Sequence, residues 1–72
     1  MTEEQFIQNM KDSVLDTDEE IEMETKLDEV EEWDSLALVS FIAMANTRGR
    51  TLDKDKIKSA VTMRHLYELI KN

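Results

Sequence analysis

A chain of 72 residues without cysteine has room for one small domain, which apolar packing must stabilise in place of disulfides or cysteine-bound metal. One histidine excludes a multi-histidine metal cluster, and no Gly-rich phosphate loop or Ser/His/acid pattern is recognisable. We therefore expect a single domain over residues 1–72 that is not an enzyme and binds no metal. The 40% hydrophobic content, the absence of proline and the single glycine predict an all-helical fold.

The net charge of −8 is unevenly distributed. Residues 16–34 contain eleven acids and one lysine, whereas residues 35–72 have a net charge of +4. Such an acidic segment repels nucleic acid and anionic membranes and steers encounters with basic protein surfaces. The N-terminus has no secretory signal pattern, and the longest uncharged run is too short to span a bilayer. We expect a cytoplasmic monomer with no nucleic-acid partner and no stable membrane insertion.

The first predicted helix begins at Thr2, which forms a capping-box pattern with Gln5. The helix continues to about Leu15, and one face is predicted to contact the core because its apolar residues recur at helical spacing. These residues are Phe6, Ile7, Met10 and Val14.

A long acidic loop follows this helix. Thr17 and Glu20 form a second capping-box pattern, which predicts one short helical turn within the loop. The isolated apolar residues Ile21, Leu27 and Val30 are expected to hold the loop over the core. A calcium-binding EF-hand is excluded, because Ile21 and Leu27 occupy the positions that require Gly and Glu. Long loops in compact domains are uncommon and often functional.

The second helix is predicted to begin at Asp34 or Ser35, which are both good N-cap residues, and to end at Gly49. Its inward stripe is predicted to contain Leu38, Phe41, Ile42 and Ala45. Its opposite face contains Leu36, Val39, Ser40, Ala43 and Thr47. We expect the first four of these to bind partner proteins, because an exposed apolar strip is costly in water unless something covers it.

Two further helices complete the predicted fold. Asp53 caps a short third helix that includes Ile57, and Thr62 caps a fourth. The fourth helix carries apolar residues at helical spacing, namely Met63, Leu66, Tyr67 and Ile70. We expect His65, on the same helix, to face solvent, because a catalytic histidine needs an orienting partner and a nucleophile.

The order of these elements is a helix, a long acidic loop, the segment Trp33-Asp34-Ser35-Leu36 at the start of an apolar helix, a short helix and a final helix. Over essentially the whole chain this order resembles the acyl carrier protein family. The segment Thr25-Lys26-Leu27, and Thr62 ahead of Leu66 and Ile70, also stand at recurrent positions of that family. The resemblance implies a four-helix bundle of acyl-carrier-protein type, with three longer helices, one short third helix and a long acidic loop between helices I and II.

The resemblance also implies a role for the segment around Ser35. Ser35 would carry a covalent 4'-phosphopantetheine arm, transferred from coenzyme A by a Mg²⁺-dependent phosphopantetheinyl transferase. Asp34 would help this transferase to engage the serine, and Leu36 would complete the attachment motif on the partner-facing surface. The arm would carry an acyl or aminoacyl group as a thioester and present it to acyl-activating or acyl-transferring enzymes. The chain has no cysteine and therefore no thiol of its own.

Two alternatives stay open. The helix after Ser35 has no acidic residue, and Trp33 replaces the small residue often found before the Asp-Ser-Leu motif. These departures favour a carrier dedicated to one biosynthetic pathway, such as polyketide, lipid-modified sugar or aminoacyl transfer, over a general fatty-acid-synthesis carrier. A different class is a small acidic helical interaction module that binds a basic partner, with Ser35 as a plain helix cap.

Overall fold

The computed structural model describes residues 1–71, and within this range the chain forms four α-helices and no β-strand. This confirms the all-helical class. None of the described helices combines the length and the apolar character that a membrane crossing requires. The helices are α1 (Glu3–Asn9), α2 (Ser35–Thr47), α3 (Lys54–Lys58) and α4 (Met63–Ile70).

The first helix begins with the predicted capping box. The Thr2 hydroxyl oxygen accepts a hydrogen bond from the Gln5 amide at 3.1 Å, and Gln5 Oε1 accepts one from the Thr2 amide at 2.9 Å. After α1 the chain continues as a π-helical turn over Met10–Val14. The turn closes where the Leu15 amide donates to the Met10 carbonyl at 2.7 Å. The helical segment therefore ends where the apolar spacing predicts.

The predicted helical turn at Thr17 is wrong. The Thr17 hydroxyl accepts a hydrogen bond from the Glu19 amide at 3.2 Å, so the side chain forms a local turn that competes with a helix. The preceding Asp16 has a left-handed φ of 51°, so a right-handed helix cannot continue through it. Within the described loop, the helical turn lies later, as a 3₁₀ turn over Leu27–Glu29.

The loop is held over the core by apolar side chains, as predicted. Ile21, Leu27 and Val30 are buried, and so is Met23, which the sequence pattern did not single out. Backbone hydrogen bonds also tie the loop to the N-terminus of α4. They run from the Leu27 amide to the Val61 carbonyl (2.8 Å), from the Met63 amide to the Thr25 carbonyl (3.1 Å), and from the Arg64 amide to the Met23 carbonyl (2.8 Å).

The buried face of α2 is rotated from the predicted one. Phe41 and Ala45 are fully buried as expected, but the third buried residue is Ala37, whereas Leu38 and Ile42 are only partly buried at the edge of the core. The small side chains of Ala37 and Ala45, one turn before and one turn after Phe41, let the helix approach its neighbours closely. The phenyl ring of Phe41 then occupies the centre of the contact, and the larger aliphatic side chains flank it.

The remaining helix ends follow the sequence signals. Asp53 caps α3 by accepting a hydrogen bond from the Lys56 amide at 2.9 Å, and Ile57 is buried. Gly49 has a left-handed φ of 78° after α2, where its amide donates to the Asn46 carbonyl at 3.0 Å. A residue without Cβ takes up this conformation at no steric cost.

α4 packs its apolar face into the same core. Met63, Leu66 and Ile70 are buried, as predicted. Tyr67 is half-buried and packs edge-on against Phe6, with ring centroids 5.3 Å apart. The Tyr67 hydroxyl donates to the Met1 carbonyl at 3.0 Å, which ties α4 to the N-terminal segment.

Salt should raise the melting temperature of this fold. The acidic side chains of residues 16–34 are mostly exposed and close together in sequence, so they repel one another. Glu24 pairs with Arg64 at 2.7 Å, but this pair is exposed and contributes little. Between 0.01 M and 0.1 M salt the Debye length falls from about 30 Å to about 10 Å, which shortens the range of the repulsion. Thermal unfolding followed by circular dichroism tests this expectation, and a melting temperature that stays flat or falls with NaCl contradicts it.

Candidate functional site

Ser35 is the first residue of α2, and Asp34 is the residue that caps this helix. Asp34 Oδ1 accepts a hydrogen bond from the Ala37 amide at 3.0 Å, and the Asp34 carbonyl accepts one from the Leu38 amide at 3.0 Å. Of the two N-cap candidates in the sequence, the structure therefore selects Asp34. The Ser35 side chain is exposed and makes no hydrogen bond with any residue in 1–71. Its hydroxyl is therefore accessible from solvent and not needed by the helix.

The first turn of α2 offers backbone donors beside this hydroxyl. The amides of Ser35 and Leu36 have no hydrogen-bond partner among residues 1–71, whereas the next amide, that of Ala37, is taken by the cap. The amides at the start of a helix point out of its N-terminus along the axis and carry the positive end of the helix dipole. An anionic group attached to the Ser35 oxygen would therefore lie beside two free amides and the positive end of the helix dipole.

The chain is anchored immediately before the site. The Trp33 indole packs edge-on against the ring of Phe41, with ring centroids 6.1 Å apart and an interplanar angle of 75°. Such aromatic pairs contribute about 0.5–1.5 kcal/mol beyond the area that they bury. The Trp33 amide also donates to the Val30 carbonyl at 3.1 Å. The Asp-Ser-Leu segment therefore follows a residue that is fixed against the centre of the core, which limits how far Ser35 can move.

Apolar side chains are exposed close to Ser35. Leu36 is 78% exposed and Val39 is 55% exposed. Ala43, one turn further along α2, is also exposed, so the outward position of these three predicted partner-binding residues is confirmed. Ser40 is half-buried and lies at the border of the strip, because the face of α2 is rotated from the predicted one.

Sequence reasoning missed one exposed apolar residue and one buried polar atom. Val61, immediately before the α4 cap, is 54% exposed. The residue before a helix cap often packs against the first turn of the helix, so the sequence does not predict that Val61 is exposed. Glu32 Oε1 is buried with no hydrogen-bond partner among residues 1–71, three positions before Ser35. No pattern in the acidic run distinguishes this carboxylate from its solvated neighbours.

Within residues 1–71, no three His, Asp or Glu side chains converge as the ligands of a metal ion would. An open groove of about 460 Å³ lies elsewhere, lined by Met1, Gln5, Gln8, Asn9 and Arg48. Arg48 follows the last residue of α2, so a helix rise of ~1.5 Å per residue separates this groove from Ser35 by about 20 Å.

Comparison with protein-family models, with curated proteins and with solved structures found no match for this chain. The residues around Ser35 and the order of the helices are therefore what indicates a function.

Proposed function

We propose that this chain is an acyl carrier protein, with a 4'-phosphopantetheine arm attached to Ser35. The observation that carries the proposal is that the Ser35 hydroxyl is exposed and unbonded at the first position of α2 while Asp34 serves as the helix cap. A serine that only capped the helix would use its own oxygen for the first-turn amides. Ser35 is therefore available for modification.

The residues present fit a phosphodiester-linked arm. The Ser35 oxygen would form the ester, and the amides of Ser35 and Leu36 would donate to the phosphate oxygens. When bound, the arm supplies the thiol that this cysteine-free chain lacks, and that thiol holds the acyl group as a thioester. The chain's own part is to present the arm in water and to keep its attachment point at a fixed place on the surface.

The order of elements supports the same proposal. A first helix, a long acidic loop, the serine-bearing α2, the short α3 and α4 follow one another as in the carrier family that the sequence resembles. The bundle arrangement of that family is part of the proposal. The loop that leads to Ser35 is held in its middle by hydrogen bonds to the N-terminus of α4 and at its end by the contact of Trp33 with Phe41.

The proposed partners are a phosphopantetheinyl transferase and acyl-activating or acyl-transferring enzymes. They would approach the end of α2 where Ser35 lies, and there they would meet the exposed side chains of Leu36 and Val39. α2 carries no acidic residue in its first turn or elsewhere, so a basic partner surface would find no carboxylate along this helix, and the exposed apolar side chains would provide the contact. This favours a carrier dedicated to one pathway over a general fatty-acid carrier.

The test is incubation of the protein with coenzyme A and a promiscuous phosphopantetheinyl transferase, followed by intact-mass measurement. The proposal predicts a gain of one phosphopantetheine per chain. A chain that stays at its original mass, next to a known carrier that is fully converted in the same tube, would instead be assigned to the class of acidic interaction modules.

A further inference from the structure

The imidazole of His65 is part of the fold. His65 is the third residue of α4, and its Nδ1 accepts hydrogen bonds from the Val61 amide at 3.0 Å and from the Thr62 amide at 3.3 Å. Thr62 is the cap of this helix. In a capping box, the side chain at the third helical position normally belongs to Glu or Gln and accepts the amide of the cap residue. Here a titratable imidazole takes that place.

The two residues that depend on His65 also hold the acidic loop. The Val61 carbonyl accepts the Leu27 amide at 2.8 Å, and Thr62 faces Lys26 in an isolated antiparallel bridge. Val61 and Thr62 are therefore bonded to His65 on one side and to the loop on the other. Loss of the His65 acceptor would therefore disturb the same two residues that hold the loop.

Protonation would remove the acceptor. A neutral imidazole with its proton on Nε2 leaves the Nδ1 lone pair free to accept, as this geometry requires. A protonated imidazole carries a hydrogen on both nitrogens and only donates. The amides of Val61 and Thr62 would then face a donor. The new positive charge would also lie at the N-terminal turn of α4, where the helix dipole disfavours it.

Charged groups of α4 and of the loop lie at this junction. On α4, the carboxylate of Glu68 lies close enough for the His65 charge to contribute to lowering its pKa, although its pair with Lys71 is the main cause. Arg64 is occupied by Glu3 at 3.2 Å and by Glu24 at 2.7 Å. Lys26 on the loop, which faces Thr62, adds positive charge to the same region.

We propose that His65 is a pH-sensitive latch that holds the acidic loop against the N-terminus of α4 while the imidazole is neutral and releases it in mild acid. The proposal is independent of the carrier function, since His65 is not part of the Ser35 site.

The matched variant is His65→Gln, because Gln is a normal capping-box residue and does not titrate. Urea unfolding of both proteins is compared at about pH 7.5 and about pH 5.5. The comparison isolates the contribution of the imidazole to the pH dependence of stability, because the two proteins share all other titrating groups. The folded protein uses Nδ1 as an acceptor and the unfolded chain does not, so proton binding to the unfolded chain, at a pKa of about 6.5, favours unfolding as the pH falls. The unfolding constant of the wild type, divided by that of His65→Gln, should therefore rise several-fold on acidification.

A ratio that changes by less than about twofold over this range overturns the latch.

A second measurement does not depend on the variant. Because His65 is the single histidine of the chain, the nitrogen chemical shifts of its ring can be assigned without ambiguity in the wild-type protein. The latch requires the proton on Nε2 at neutral pH, and a protection of the Val61 and Thr62 amides, relative to their intrinsic exchange rate at each pH, that falls as the ring takes up a proton. A proton on Nδ1 at neutral pH would contradict the proposal even if the two proteins differ in stability.

Discussion

Phe41→Glu should unfold the domain, whereas Val39→Glu should leave it folded. The two residues are neighbours on α2, but Phe41 is fully buried at the centre of the core and Val39 is 55% exposed. A carboxylate in an apolar interior costs more than the few kcal/mol by which a domain of this size is stable. A substitution at an exposed position usually changes stability by less than about 0.5 kcal/mol. Circular dichroism and urea unfolding of both variants provide the measurement.

Val39→Glu also tests the exposed strip on α2 as the partner-binding surface. This variant should accept the phosphopantetheine arm normally but be loaded poorly by its cognate acyl-activating enzyme. Burial of one such side chain at an interface contributes about 1.5–3 kcal/mol, so the expected loss of affinity is on the order of ten- to a hundredfold. If Val39→Glu unfolds the domain while Phe41→Glu is tolerated, the two faces of α2 have been assigned the wrong way round.

Ser35→Ala should abolish attachment of the arm without changing the fold. The substitution removes the only oxygen through which the arm would be linked, while the cap of α2 is provided by Asp34 and stays in place. The melting temperature and the helical circular dichroism should therefore match those of the wild type. Intact mass after treatment with coenzyme A and a transferase gives the readout.

Ser40→Ala is the control for this variant, because Ser40 lies on the same helix but is half-buried and does not follow an aspartate. It should take up the arm as the wild type does. Uptake by Ser35→Ala would move the attachment site to another residue, and loss of uptake in both variants would point to a general effect on recognition by the transferase.

The helix ends were predictable because short-range chemistry specifies them. Thr2 with Gln5, Asp53 and Gly49 each act on neighbours within five positions, and each does so in the structure as the sequence predicts. Thr17 with Glu20 shows the limit of this reasoning. The same pattern forms no helix there, because the turn lies in an acidic loop that follows a left-handed residue.

The rotation of α2 could not be predicted from spacing alone. Leu38 and Ile42 fit an inward stripe as well as Ala37 does, and hydrophobicity favours the larger side chains. The choice depends on the contact between Phe41 and Trp33 and on the close approach that two alanines permit. Both are tertiary effects, so the outward position of Leu36 and Val39 was predictable while the exact centre of the buried face was not.

The position of the candidate site in the chain was predictable, but the separate roles of Asp34 and Ser35 were not. Asp34 and Ser35 are equally good caps by composition, and only the geometry shows that Asp34 takes the Ala37 amide and leaves the serine oxygen unbonded. The hydrogen bonds from the Val61 and Thr62 amides to His65 were likewise not predictable, because a histidine at that helical position more often makes no such contact.

The most direct test of the carrier assignment is the mass of the wild-type protein after reaction with coenzyme A and a phosphopantetheinyl transferase, with fragmentation to locate the added group. A carrier protein should gain a single phosphopantetheine on every chain, located on the fragment that contains Asp34, Ser35 and Leu36. An unchanged mass, or an arm located on any other residue, would contradict it.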